Sequence, residues 1–140
     1  MPKLEQESIP LETIEIKTNS ISARTILMVD DNDDLLHIGE EFIKISGHKP
    51  LTTNNPILAI DWLETKQVNL IIIDYAMPKM NGKDFCQIVR NKGYTLPVIL
   101  NTGYNETITI KKIKESGFDG FLKKPFTLAE FNHVINEFLP

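Results

Sequence analysis

Short apolar runs alternate with amphipathic stretches from Thr25 to the end of the chain. Runs of consecutive branched or apolar residues are typical of strands that are buried on both faces of a sheet. The second of these runs is weaker than the others, and the last is short. The predicted strands are Ile26–Val29, His48–Thr52, Leu70–Ile73, Pro97–Leu100 (ending near Gly103) and Asp119–Leu122.

Five helices are predicted between and after these strands. The first begins at an Asn32 or Asp33 cap and stops at Gly47, and Pro56 opens the second. The other three cover Lys83–Asn91, Glu106–Ser116 and Leu128–Leu139. The residues expected to face the core from the first two helices are Leu35, Leu36, Ile38, Phe42, Ile43, Ile45, Ile57, Ile60, Trp62 and Leu63.

Alternation of five strands with five helices predicts an α/β fold. Continuous apolar strands indicate a parallel sheet covered on both faces, and right-handed crossovers then give a three-layer, doubly wound sandwich. A chain of 140 residues has room for one such domain. We expect the domain to cover residues 24–140, with the polar residues 1–23 forming a tail or an interdomain linker.

The charge and the apolar content of the chain argue against some classes of function. The net charge of −4 argues against direct nucleic-acid contact, which usually needs a basic surplus. No apolar run approaches the roughly 20 residues that span a bilayer, and the N-terminus lacks an apolar signal core. The single cysteine, Cys86, is expected to be a packing residue. We therefore expect a cytoplasmic location without membrane contact.

Polar side chains follow four of the predicted strands. Asp30 and Asp31 follow the first, Asp74 the third, Thr102 the fourth and Lys124 the fifth. Because parallel strands end at one edge of a sheet, these residues should converge where such sheets bind ligands.

The chemistry of this set favours phosphoryl transfer. Three crowded carboxylates need a compensating charge, and Mg²⁺ suits an oxygen site with few carboxylates. An ammonium from Lys124 and a hydroxyl from Thr102 would complete the contacts to a phosphoryl group, and the nucleophile should be a carboxylate, because no Ser, Cys or His is well placed at the strand ends. Taken singly, Asp30 or Asp31 could merely cap a helix, Thr102 could be a turn residue and Lys124 a solvated charge.

The motifs at these positions resemble those of response-regulator receiver domains of two-component signalling. They are the Asp30-Asp31 pair, IIIDYAMPKMNG (71–82), PVILNTG (97–103) and FLKKPF (121–126), in the family's order and spacing. The resemblance runs from about Arg24 to Leu139. It implies a flavodoxin-like sheet with strand order 2-1-3-4-5.

The resemblance also implies a role for each matched residue. Asp74 matches the phosphoacceptor, Asp31 the direct Mg²⁺ ligand, and Asp30 the acid that acts through water. The Ala76 carbonyl matches a third protein ligand, and Mn²⁺ is expected to substitute for Mg²⁺. The remaining matches are the switch residues Thr102 and Phe121, the phosphate-binding Lys124, a cis bond between Lys124 and Pro125, and the lifetime-tuning positions Ala76 and Tyr104.

A histidine kinase or phosphotransfer domain, in cis or in trans, is the phosphodonor that the resemblance implies. The domain would catalyse its own phosphorylation and dephosphorylation, but would turn over no separate substrate. Phosphorylation would switch the face built from the fourth helix, fifth strand and fifth helix. Because Phe121 lacks the hydroxyl found in many relatives, it would be coupled to phosphorylation through steric contacts rather than through a hydrogen bond.

Other classes fit less well. A degenerate receiver that only binds proteins is the main rival, but the acids and the lysine are all retained. A calcium loop starting at Asp30 has Leu35 where a glycine is needed, and a dinucleotide fold needs glycines where this chain has DDNDDL. A histidine phosphotransfer bundle would not contain strands.

The long polar segment before the first strand bears on the origin of the chain. The motifs also resemble those of receivers that are fused to kinases. Together these features favour the hypothesis that the chain is the C-terminal receiver of a hybrid sensor kinase. A single-domain regulator is the alternative.

Overall fold

The computed structural model describes residues 23–103 and 110–140, and within them five parallel strands form one sheet. The strand order is β2-β1-β3-β4-β5, and every neighbouring pair is parallel. The predicted fold class and strand order are therefore confirmed. The strands are β1 (Thr25–Val29), β2 (Lys49–Thr53), β3 (Leu70–Asp74), β4 (Val98–Gly103) and β5 (Gly120–Lys124).

Helices connect the strands, and side chains cap most of them. The helices are α1 (Asp33–Ile45), α2 (Pro56–Thr65), α3 (Gly82–Asn91), α4 (Ile110–Glu115) and α5 (Leu128–Phe138). The predicted start of the fourth helix, at Glu106, lies outside the described residues. Four caps accept backbone N–H groups through side-chain oxygens, which satisfies donors that a helix start leaves open. These caps are Asn32, Asn55, Asn81 and Thr127.

The apolar core lies in two layers, one on each face of the sheet. Alternate residues of each strand point to opposite faces. Ile71 and Ile73 of β3 thus pack with α2, α3 and α4, whereas Leu70 and Ile72 pack with α1 and α5. The buried Cys86 belongs to the first layer, as expected for a packing residue.

Three predicted core positions are wrong, because Ile38, Ile45 and Ile57 are 47%, 61% and 50% exposed. A helix lying on an open sheet buries only one stripe, and in α1 that stripe runs through Leu36 and Ile43. Ile38 and Ile45, seven residues apart, share a side that faces away from the sheet.

The end of β5 also differs from prediction. The strand continues past the predicted end at Leu122, so that Lys124 is its last residue and pairs with Gly103 of β4. The bond between Lys124 and Pro125 is cis, as the resemblance implied. Across the described residues, no helix combines the length and apolar character needed to cross a membrane.

Candidate functional site

Two acids and a lysine meet at the carboxyl edge of the sheet. By strand alternation, Asp30, Asp74 and Lys124 all project from the face that carries α1 and α5. Lys124 Nζ lies 2.9 Å from Asp30 Oδ2 and 2.9 Å from Asp74 Oδ1. Asp30 is fully buried and Asp74 is 4% exposed, so this ammonium compensates charge that folding removes from water.

A third acid, Asp31, completes a group of carboxylates. Asp30, Asp31 and Asp74 each offer an oxygen, and these oxygens lie within 4.8 Å of one another. Three carboxylates against one ammonium leave a surplus of negative charge. Hard oxygen donors at this spacing fit a divalent cation such as Mg²⁺. The residues present therefore form an acidic pocket that could bind a metal.

Burial and the contacts between Lys124 and the carboxylates shift the pKa values of these groups in opposite directions. Burial raises the pKa of Asp74 to about 6, partly offset by its hydrogen bond to Lys124 and increased by the neighbouring Asp30. Burial likewise raises the pKa of Asp30. For Lys124, burial alone would lower the pKa, but hydrogen bonds to Asp30 and Asp74 raise it above the usual value. Lys124 is therefore held in its charged form.

The loop after β3 folds back tightly on the strand. The Gly82 amide donates to the Tyr75 carbonyl at 2.8 Å, and the Asn81 side chain caps α3 by accepting from the Asp84 amide at 2.8 Å. Ala76 lies in this loop and is exposed. The start of α3 is thereby fixed against the end of β3, where Asp74 sits.

Thr102 and Phe121 are not part of the ion-pair cluster. The Thr102 side chain is buried, and its hydroxyl donates to the Gly103 carbonyl at 3.4 Å. Alternation along β4 directs it to the face opposite Asp74 and Lys124. Phe121 is 41% exposed on β5. Tyr104 lies outside the described residues.

Asn101 also lies at this edge of the sheet and was not among the predicted site residues. This fully buried residue is paired in register with Asp74, and its carbonyl accepts the Tyr75 amide at 3.2 Å. Its side-chain oxygen and nitrogen have no hydrogen-bond partner within the described part of the chain. The signal was a single polar residue inside the apolar run that ends at Thr102.

The fold and the site together define a class, the CheY-like domains with an acidic pocket at the carboxyl edge of a flavodoxin-like sheet. Residues 26–136 match the family model of the response regulator receiver domain, and the chain belongs to this family. One similar solved structure is the chemotaxis protein CheY4 of Vibrio cholerae. It is 25% identical, with a TM-score of 0.76, over 84% of this chain and 99% of that one.

Two curated relatives show the range of longer proteins that carry such a domain. The DNA-binding transcriptional regulator NtrC of Azospirillum brasilense is 33% identical over 119 residues, which are 85% of this chain and 25% of that protein. The CAI-1 autoinducer sensor kinase/phosphatase CqsS of Vibrio cholerae is 27% identical over 125 residues, which are 86% of this chain and 18% of that protein. The chain thus spans only a small part of either relative.

Proposed function

We propose that this receiver domain accepts a phosphoryl group on Asp74 from the phosphohistidine of a histidine kinase or phosphotransfer domain. The observation that carries the proposal is the Lys124 ammonium, 2.9 Å from both Asp30 and Asp74, beside three converging carboxylates. A purely structural ion pair would not need a surplus of buried negative charge.

In the proposed reaction, an Asp74 oxygen attacks phosphorus while the bond from phosphorus to the histidine nitrogen breaks. The electron pair of that bond returns to the imidazole, and the product is an acyl phosphate. Lys124 is placed to contact a phosphoryl oxygen. Bound Mg²⁺ would neutralise carboxylate and phosphoryl charge. Asp30, Asp31, Asp74 and the Ala76 carbonyl are the groups proposed to hold it.

The different roles proposed for Asp30 and Asp31 in Mg²⁺ binding follow from their surroundings. Asp31 is exposed, which leaves its carboxylate available as a direct ligand. Asp30 is buried, accepts the Asn32 amide at 2.9 Å and pairs with Lys124, so it suits a role through water. We infer that loss of Asp31 weakens Mg²⁺ binding more than loss of Asp30.

Switching would involve Thr102 and Phe121. Strand alternation directs the Thr102 side chain away from Asp74, so its hydroxyl would move with the end of β4 to reach a phosphoryl oxygen. Phosphorylation would thereby shift the population of a two-state surface built from α4, β5 and α5. Phe121, exposed on β5, is the aromatic group proposed to report this change.

We further propose that residues 24–140 form the receiver unit and that residues 1–23 are a tail or linker. We also propose a cytoplasmic location and a parent of the hybrid kinase type, and the likeness to the sensor kinase/phosphatase CqsS supports the kinase parent. A kinase in the same polypeptide would raise the local phosphohistidine concentration to roughly millimolar. The retained acids and lysine argue against a degenerate receiver that acts only by binding.

The test is phosphorylation with acetyl phosphate and Mg²⁺, followed by mass spectrometry of the intact chain and its peptides. One phosphate should be added to the wild type and none to Asp74→Asn. Lys124→Met should slow labelling by about a hundredfold, as expected for loss of a donor to the reacting group. Lys123→Met, the matched control on the same strand, should label normally. Undiminished labelling of Asp74→Asn would refute the proposal.

A further inference from the structure

Asn101 occupies a costly position that the proposed reaction does not explain. Its amide is fully buried, and neither polar atom has a hydrogen-bond partner in residues 23–103 and 110–140. Buried polar groups are almost always satisfied, because leaving them unpaired forfeits their hydration. A branched apolar residue, like those that precede Asn101 in β4, could occupy this buried position instead. A hydrogen-bond partner that contacts this side chain in another state of the domain would explain why an amide is present here.

The sheet register places Asn101 beside the ion-pair cluster. Asn101 is paired with Asp74 on one side and with Leu122 on the other, and paired residues of parallel strands point to the same face. Leu122 lies in the same core layer as Ile99 of β4, two residues before Asn101. The Asn101 amide is therefore on the face that also carries Asp74 and Lys124.

Lys124 can reach Asp74 only across the strand that carries Asn101. Lys124 belongs to β5 and Asp74 to β3, and β4 lies between them. The backbone of Lys124 is level with Gly103, whereas Asp74 is level with Asn101. The lysine side chain thus runs across β4 towards Asn101. A Cβ built on Gly103 would meet no described heavy atom within 4 Å, so this strip of β4 is not crowded.

A cation in the acidic pocket would compete with the lysine. The ammonium now lies 2.9 Å from oxygens of Asp30 and Asp74, two of the three carboxylates that fit a metal. A divalent cation on the same carboxylates repels the ammonium, which must move away before a phosphoryl group is there to receive it. A half-buried ammonium without a hydrogen-bond acceptor is unfavourable. The free energy of metal binding therefore depends on whether Lys124 finds another acceptor.

We infer that Asn101 is a positioning residue that accepts the Lys124 ammonium on its side-chain oxygen while a divalent cation occupies the acidic pocket. This inference rests on the proposed Mg²⁺-dependent function and adds to it a residue that sets metal affinity. In the metal-free domain the lysine bridges Asp30 and Asp74, and the Asn101 side chain has no partner among the described residues. With the cation present, the lysine shifts back along β4 and donates to the Asn101 side-chain oxygen.

The experiment compares Asn101→Val with Asn101→Thr, two branched residues that differ by one oxygen in place of a methyl group. Mg²⁺ affinity is measured by isothermal titration calorimetry, and metal-free stability by urea unfolding followed through the fluorescence of Trp62. Asn101→Val should weaken Mg²⁺ binding about tenfold, as for loss of other groups that orient a metal site. Asn101→Thr should remain within about threefold of the wild type, because it keeps an acceptor oxygen.

Two further measurements separate positioning from a structural role. The metal-free stability of Asn101→Val should equal or exceed that of the wild type, since it removes an unsatisfied polar group. In a Lys124→Met background, Asn101→Val should cause no further loss of Mg²⁺ affinity. Equal Mg²⁺ affinities for the Val and Thr variants, or a loss that persists without Lys124, would overturn the inference and leave the proposed function intact. Absence of Mg²⁺ binding by the wild type would instead overturn the proposed function.

Discussion

At the residue scale, Asp74 shows what it costs in stability to bury a carboxyl group at the edge of the sheet. Burial, its largest cause, raises the pKa of Asp74 from 3.8 to about 6. The folded state therefore holds this proton more tightly than the unfolded state does. The resulting stability is fully present below pH 3.8 and is lost as the pH rises through about 6.

Replacing Asp74 with asparagine should remove this pH dependence. In the metal-free protein, Asp74→Asn should raise the free energy of unfolding at pH 7.5 by about 1–3 kcal/mol, with the difference disappearing near pH 4. Urea unfolding across this range, with a chelator present, provides the measurement. The exposed Asp61 of α2 supplies the control, since Asp61→Asn should change stability by less than about 0.5 kcal/mol. A variant less stable than the wild type at pH 7.5 would contradict the prediction.

At the element scale, the loop from β3 to α3 depends on a glycine at the start of the helix. A Cβ on Gly82 would lie 2.7 Å from the Asp74 carbonyl oxygen and 3.0 Å from the Tyr75 Cα. Both neighbours are backbone atoms, which cannot move aside as a flexible side chain can. The absence of a side chain at Gly82 therefore lets α3 start directly against the end of the strand that carries Asp74.

Gly82→Ala should destabilise the domain by about 1–3 kcal/mol, the usual cost of overpacking. It should also disturb the proposed phosphoacceptor, because the strain falls on the backbone of Asp74. Gly103→Ala is the control, because a Cβ at this position meets no described atom within 4 Å. The stability of this variant should stay near that of the wild type. Thermal unfolding of both variants tests this, and a Gly82→Ala variant as stable as Gly103→Ala would show that the loop can relax.

At the scale of the whole molecule, the acidic pocket should couple metal binding to stability. Its carboxylates come from the ends of β1 and β3, so they assemble only when the sheet forms. A ligand that binds only the folded state stabilises it by mass action. Mg²⁺ at ten times its Kd should therefore raise the free energy of unfolding by about 1.4 kcal/mol.

Asp31→Asn should reduce this stabilisation at the same Mg²⁺ concentration, because it removes one of the three converging carboxylates. The measurement is urea unfolding at matched ionic strength with Mg²⁺ or Na⁺. An equal gain in both salts would show screening of charge rather than binding at a site.

Much of the molecule was predictable from local pattern. The runs Ile26–Val29 and Leu70–Ile73 specified central strands because only a sheet covered on both faces can bury such runs. Asn32 and Pro56 marked helix starts through local chemistry that involves only nearby residues. Strand ends then placed Asp30, Asp74 and Lys124 at one edge, since parallel strands share their direction.

The sequence by itself thus determined the strands, their parallel direction and the edge where the charged residues meet, because these depend on period and local chemistry. Tertiary structure alone decided which side chains meet across strands. It paired Lys124 with both Asp30 and Asp74, exposed Ile38 and Ile45, and left the Asn101 amide buried in register with Asp74. The physical reason is that register and helix rotation are fixed by packing between residues far apart in the chain, which a one-dimensional pattern does not record.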